Sequence, residues 1–143
     1  MTNTHVQTNR GELPAPRLMR IMVVDDNVDA ADSFSMLLQI IGHETRVEHS
    51  GSAALAAVER WVPDVVFLDI GLPGMNGYEV LNRLRERSAL SGTAVVAITG
   101  WGSPEDRRRA EAAGFAAHLT KPADMTDVER LLASLAAGHE AAR

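Results

Sequence analysis

What most constrains this chain is a regular beat. Five short β-rich runs are each followed by a stretch of helical periodicity, with no internal repeat or low-complexity segment. The runs fall at Arg20 to Val24, around Thr45 to Glu48, at Val65 to Leu68, at Ala94 to Ile98 and around Ala116 to Leu119. Strands separated by helices do not close as hairpins, so they pair in parallel through helical crossovers that cover both faces of the sheet. The predicted fold is therefore α/β: a doubly wound, five-stranded parallel sheet with five helices.

The first helix sets Ala31, Phe34, Leu37, Leu38 and Ile41 on one face and stops at Gly42. A second starts near Gly51 with Leu55 and Val58 on its inner face, and a third near Asn76 with Val80, Leu81 and Leu84. In "SPEDRRRAEAAG", Ser103 reads as the N-cap, Pro104 as a first-turn residue and Gly114 as the terminator of the fourth. The last carries Val128, Leu131, Leu132 and Leu135 behind a capping box from Thr126 to Glu129.

In doubly wound sheets, ligands bind beyond the carboxyl ends of the strands. Here Asp25 and Asp26 follow the first strand, Asp69 the third, Thr99 the fourth and Lys121 the fifth. Three carboxylates on one edge repel one another unless a proton or a cation joins them. Oxygen-only donors and few carboxylates suit Mg²⁺, with Mn²⁺ able to substitute. A hard cation beside a carboxylate, a hydroxyl and an ammonium is the equipment of phosphoryl transfer, in which an aspartate can be the nucleophile. Each residue alone has a plainer reading. Asp-Asp after a strand also forms turns and caps, Asp69 precedes a glycine-rich loop, Thr99 can be a strand-end hydroxyl and Lys121 a surface charge. Independent plain causes would have to place all five on one edge in this order.

Composition narrows the setting. The 143 residues suffice for one domain with a sizeable core. There is no cysteine, which excludes thiolate chemistry and disulfides and leads us to expect a cytoplasmic protein. The opening "MTNTHVQTNRGELPAPR" is polar, holds Pro14 and Pro16, and lacks an apolar block for export or membrane insertion. A net charge of −5 and a pI near 5.5 favour protein partners over nucleic acid or a membrane surface.

In their order and spacing, "VVDDN", "VVFLDIGLPGMNGYEVLNRLR", "VVAITGWG" and "HLTKPAD" resemble the CheY-like receiver domains of response regulators in two-component systems, over about Met19 to Ala137. The resemblance implies the flavodoxin-like strand order 2-1-3-4-5, a receiver at 19–137, a flexible N-terminal tail at 1–18 and a C-terminal tail at 138–143. It further implies that Asp69 accepts a phosphoryl group from a phosphohistidine on a histidine kinase or a histidine phosphotransfer protein. Asp25, Asp26, Asp69 and the backbone carbonyl of Gly71 would hold Mg²⁺, Lys121 would pair with phosphoryl oxygens, and the Thr99 hydroxyl would hydrogen-bond another. Such a protein is a signalling phosphoacceptor, catalysing only its own phosphorylation and slow dephosphorylation. Relatives usually have a cis peptide after that lysine, here at Pro122.

Two departures from the family pattern stand out. His118 sits three residues before Lys121, where relatives commonly carry tyrosine or phenylalanine coupled to the threonine hydroxyl. An imidazole is smaller and can charge near neutral pH, and a histidine simply exposed is the plain alternative. The positions that tune phosphoryl lifetime in this family hold Gly71, without a side chain, and Trp101, which is expected to cover the phosphoryl group in part or to shape access to it, with slow self-dephosphorylation as the result. Gly71, Pro73, Gly74 and Gly77 otherwise shape the loop after Asp69. Arg107, Arg108 and Arg109 read as a solvated helix face, and His5, His43, His49 and His139 receive no role.

With no output module after the last helix, and with an initiator Met1, a free-standing regulator is expected over a receiver cut from a hybrid histidine kinase. Output would then pass through the receiver's surface to a downstream protein or a phosphorylation-dependent homodimer. Three rivals differ in kind. A haloacid-dehalogenase-like phosphohydrolase shares the aspartate, threonine, lysine and Mg²⁺, but wants a second aspartate where Gly71 stands. A pseudo-receiver would bind without taking phosphate, and a flavodoxin-like protein would bind FMN.

Overall fold

The three most apolar strands take the middle of the sheet, as a sheet covered on both faces demands. The structure, a computed structural model, describes residues 18–100 and 102–141, with 139–141 as backbone only. In chain order the elements are β1 (Arg20–Val24), α1 (Val28–Ile41), β2 (Glu44–Glu48), α2 (Gly51–Ala57), β3 (Val65–Asp69) and α3 (Gly77–Arg85), then β4 (Ala94–Thr99), α4 (Pro104–Ala113), β5 (Ala117–Thr120) and α5 (Met125–Ala141). A 3₁₀ turn at Ser88–Leu90 precedes β4. All pairings are parallel and the order is β2-β1-β3-β4-β5. The fold class and strand order expected from the sequence are those observed. The tail read at 1–18 lies, Leu18 apart, outside the described residues, among which no helix is long and apolar enough to cross a membrane.

Alternation along the strands divides the core in two. Met22, Val24, Val66, Leu68, Val95 and Ala97 pack with Leu55, Val80, Leu81 and Leu84 of α2 and α3. On the other face Ile21, Val23, Phe67, Val96 and Ile98 meet Ala31 and Leu38 of α1 and Val128 and Leu132 of α5. Phe34 meets Phe67 edge-on, with centroids 5.0 Å apart. The edge strand β2, with its charged ETRVE sequence, is half-exposed, which suits a strand that must not pair further.

Capping follows the letters closely. Asn27, Ser50, Asn76 and Ser103 each accept from the N–H three residues on, and Gly42 and Gly114 end α1 and α4 at φ of 117° and 108°. α5 is the exception to the expected box of Thr126 and Glu129. The helix begins at Met125, so Thr126 already lies in the first turn, and its N–H donates to Asp124 Oδ1 at 2.7 Å. α1 corrects a second expectation. Its buried line runs Ala31, Ser35, Leu38, so Leu37 falls at the margin and is 43% exposed. Ser35 is tolerated inside because its hydroxyl bonds Thr45 Oγ1 at 2.7 Å.

Candidate functional site

Parallel strands end on the same side, and each of the polar terminal residues is thereby delivered to one edge. Asp69 and Thr99 close β3 and β4, one residue later than expected, and Lys121 follows β5. Val24 pairs with Leu68 and Asp69 with Ile98, which sets Asp25, Asp69 and Thr99 on adjoining strand ends at the point where the strand order reverses.

Oxygens of Asp25, Asp26 and Asp69 lie within 4.8 Å of one another. Asp25 is buried, Asp69 half-buried and Asp26 exposed. Lys121 Nζ sits 2.8 Å from Asp25 Oδ2 and 3.0 Å from Asp69 Oδ2. Burial draws the Lys121 pKa down, but hydrogen bonds and charges of Asp25 and Asp69 outweigh it and hold the pKa above the ordinary lysine value. The remaining oxygens are turned by local backbone. Asn27 N–H donates to Asp25 Oδ1 at 3.0 Å, and Gly71 N–H to Asp69 Oδ1 at 2.8 Å. Lys121 N–H donates to the Thr99 carbonyl at 2.8 Å, tying β5 to β4 where the site begins. Thr99 is buried, and the Lys121–Pro122 peptide is cis.

The loop after Asp69 uses its glycines unequally. Gly74 needs one for its φ of 76°, and a Cβ at Gly77 would stand 2.6 Å from Ile70 Cα. Gly71 is under neither constraint, its nearest such neighbour being Asp69 Oδ1 at 3.6 Å.

His118 does not join the acidic cluster. It pairs in register with Ala97, and both ring nitrogens are shut from solvent without a hydrogen-bond partner, as is Thr120 Oγ1. The simply exposed histidine is thus ruled out, since alternation turns this position beneath α4. Burial first, then the Arg107 charge, lowers its pKa, with Asp106 opposing. Trp101 lies outside the described residues. Arg107, Arg108 and Arg109 are exposed as expected, with the Arg109 guanidinium carbon 4.7 Å from the Tyr78 ring centroid.

Two contributors escaped the sequence reading. Asn27 both caps α1 and orients Asp25. His49 Nδ1 lies 3.0 Å from the Asp25 carbonyl oxygen. It follows β2, so listing the residue after every strand, the second included, would have found it. A cavity of about 500 Å³ opens beside Asp25, Asp69 and Lys121, walled by Phe34, Leu37, Ile98 and Pro122. The donor set, three carboxylates without nitrogen or sulfur ligands, fits a hard divalent cation.

Known proteins share this architecture. The family model of the response regulator receiver domain matches residues 21–133. The chain is 34% identical over 114 residues to a 14.6 kDa protein from the sodA1 3′ region of Leptolyngbya boryana, covering 80% of this chain and 87% of that one. It is 37% identical over 115 residues to the probable transcriptional regulatory protein TcrX of Mycobacterium tuberculosis, covering 80% of this chain but only 48% of TcrX. The chain thus spans about half the length of that relative. Among solved structures, chemotaxis protein CheY4 of Vibrio cholerae superposes with a TM-score of 0.77 at 27% identity, over 83% of this chain and 99% of that one. Fold, site and kinship agree: the chain belongs to the response regulator receiver domain family.

Proposed function

We propose that Asp69 is the phosphoryl acceptor of this receiver, taking the group from a phosphohistidine on a histidine kinase or histidine phosphotransfer protein. The observation that carries this reading is the sharing of one ammonium, Lys121, by Asp25 and Asp69 inside a cluster of three carboxylates. One cation among three anions leaves the cluster under-neutralised. Asp25, Asp26, Asp69 and the Gly71 carbonyl would hold Mg²⁺, or Mn²⁺, which when bound supplies charge neutralisation for the phosphoryl oxygens.

Gly71 N–H and Lys121 hold the two oxygens of Asp69, so the carboxylate is oriented before any donor arrives. An Asp69 oxygen attacks phosphorus, the P–N bond breaks, and its electron pair returns to the donor imidazole. Lys121 then serves the phosphoryl oxygens as a point charge, and the Thr99 hydroxyl hydrogen-bonds another. The apolar-walled cavity between α1 and the β5–α5 loop gives the donor its approach. Inward movement of Thr99 is relayed to His118 and reshapes the α4–β5 surface read by a downstream protein or a second copy. Gly71 offers no side chain to orient an attacking water, and Trp101, two residues past Thr99 in the sequence, is apolar and cannot do so either, so the aspartyl phosphate is long-lived.

Intact-mass spectrometry after incubation with acetyl phosphate tests the reading. A gain of roughly 80 Da that needs both Mg²⁺ and Asp69, and is absent in Asp69→Ala, is the expected result. Phosphate released continuously from many substrates, without a stable adduct, would point instead to a hydrolase.

A further inference from the structure

Asp25 is held from four directions, and one of them is a side chain that follows β2. Its N–H donates to the Glu48 carbonyl at 3.1 Å, its Oδ1 accepts from Asn27 and its Oδ2 from Lys121. The fourth restraint is the His49 ring, whose Nδ1 lies 3.0 Å from the Asp25 carbonyl oxygen. A carbonyl can only accept, so Nδ1 carries the hydrogen. β2 ends at Glu48, and the imidazole supplies a donor to Asp25 where that strand turns away into the Ser50 cap of α2.

The position of this bond gives it leverage. The Asp25 carbonyl and the Asp26 N–H belong to one planar peptide unit. A hydrogen bond that fixes the tilt of that plane fixes ψ of Asp25 and φ of Asp26 together, and with them the directions in which both carboxylates leave the chain. We infer that His49 is a positioning residue for the paired aspartates, setting their affinity for a divalent cation. The inference rests on the reading of Asp25, Asp26 and Asp69 as a metal seat. Its bond is to the backbone carbonyl and not to a carboxylate oxygen, so His49 acts through the peptide.

Calorimetric titration with Mg²⁺ on the full chain tests it, using wild type, His49→Ala, His49→Asn and Asp25→Asn. Asparagine places its amide nitrogen near the position of Nδ1 and keeps the donor. The expected result is a Mg²⁺ affinity about three- to tenfold weaker in His49→Ala, largely restored in His49→Asn, and lost in Asp25→Asn. In metal-free protein, amide exchange at Asp26 and Asn27 speeds up in His49→Ala but not in His49→Asn, while the melting temperature of this exposed-site variant stays within a degree or two. Wild-type affinity in His49→Ala alongside loss in Asp25→Asn would overturn the positioning role while leaving the metal seat standing. Equal weakening by alanine and asparagine would also overturn it. Unchanged affinity in Asp25→Asn would remove the metal seat and the inference together.

Discussion

At the amino ends of the strands, Arg20 meets Glu44 at 3.5 Å, the Arg20 N–H bonds Asp64, and the Trp61 indole N–H bonds Glu44 at 3.2 Å. The guanidinium carbons of Arg20 and Arg46 stand 5.6 and 5.3 Å from the Trp61 ring centroid. At the carboxyl ends, three carboxylates cluster and the Lys121 ammonium reaches two of them, Asp25 and Asp69. One end pairs its charges and rests them on a buried aromatic; the other concentrates like charge and leaves it under-neutralised. The first arrangement can only hold the sheet together. The second stores an electrostatic demand that a cation or a transferred group can meet, and demand of that kind makes a site responsive.

The contrast breaks most visibly at Trp61, which is 6% exposed. Trp61→Ala is expected to destabilise the domain by about 3–5 kcal/mol, read by denaturant unfolding. Mg²⁺ affinity should not change, because the indole lies at the opposite end of the strands. A changed affinity would mean that the two ends are coupled.

The second effect belongs to the carboxyl end. Mg²⁺ at a hundredfold its Kd should raise stability by about 2.7 kcal/mol, and a chelator should reverse it. Asp25→Asn should abolish the gain, and in metal-free protein it relieves repulsion at the cost of one Lys121 partner. A gain that persists in this variant would place the cation elsewhere.

How much of this contrast was legible in the letters depends on whether a neighbour in space was needed to see it. The carboxyl edge was legible because parallel topology sends every strand end to one side, so Asp25, Asp69, Thr99 and Lys121 could be gathered without coordinates. The amino edge was not. Trp61 gains its place from Arg20, Arg46 and Glu44, none within ten residues of it, and periodicity carries no information about such pairings. His49 was passed over for want of ligand spacing, yet its bond is to a backbone oxygen, which no side-chain motif encodes. The α5 cap failed by proximity: Asp124 and Thr126 are both good caps, and only the helix start decides between them.

Between the two ends, His118 offers a third measurement. Its two ring nitrogens are buried without partners, and burial with Arg107 lowers its pKa. The folded state thus binds the proton less readily than the unfolded state, whose imidazole titrates near 6.5. The stability at stake is fully present above that value and is lost as pH falls through it toward the folded-state pKa. His118→Phe removes the orphaned atoms and should stabilise the domain by on the order of 1 kcal/mol near pH 8, and by more at pH 5.5. A residual acid slope will remain, because His43 is also buried, has its pKa lowered by burial, and accepts the Met19 N–H through Nδ1 at 3.1 Å. A slope unchanged in His118→Phe would mean that the ring is already solvated.

The smallest effect falls on the amino-end ion pair. Arg20 and Glu44 are half or more exposed, with side-chain exposures of 50% and 63%, so water screens their attraction and their own flexibility opposes it. Glu44→Gln keeps a carbonyl oxygen able to accept the Trp61 N–H while removing the charge seen by Arg20. The expected loss is below about 1 kcal/mol and shrinks further at high salt. Glu44→Leu also removes the acceptor and should cost more, because a largely buried indole N–H then loses its partner. If the two substitutions cost the same, charge and not the hydrogen bond holds this end, and the amino edge would then be electrostatic in the same sense as the site it was contrasted with.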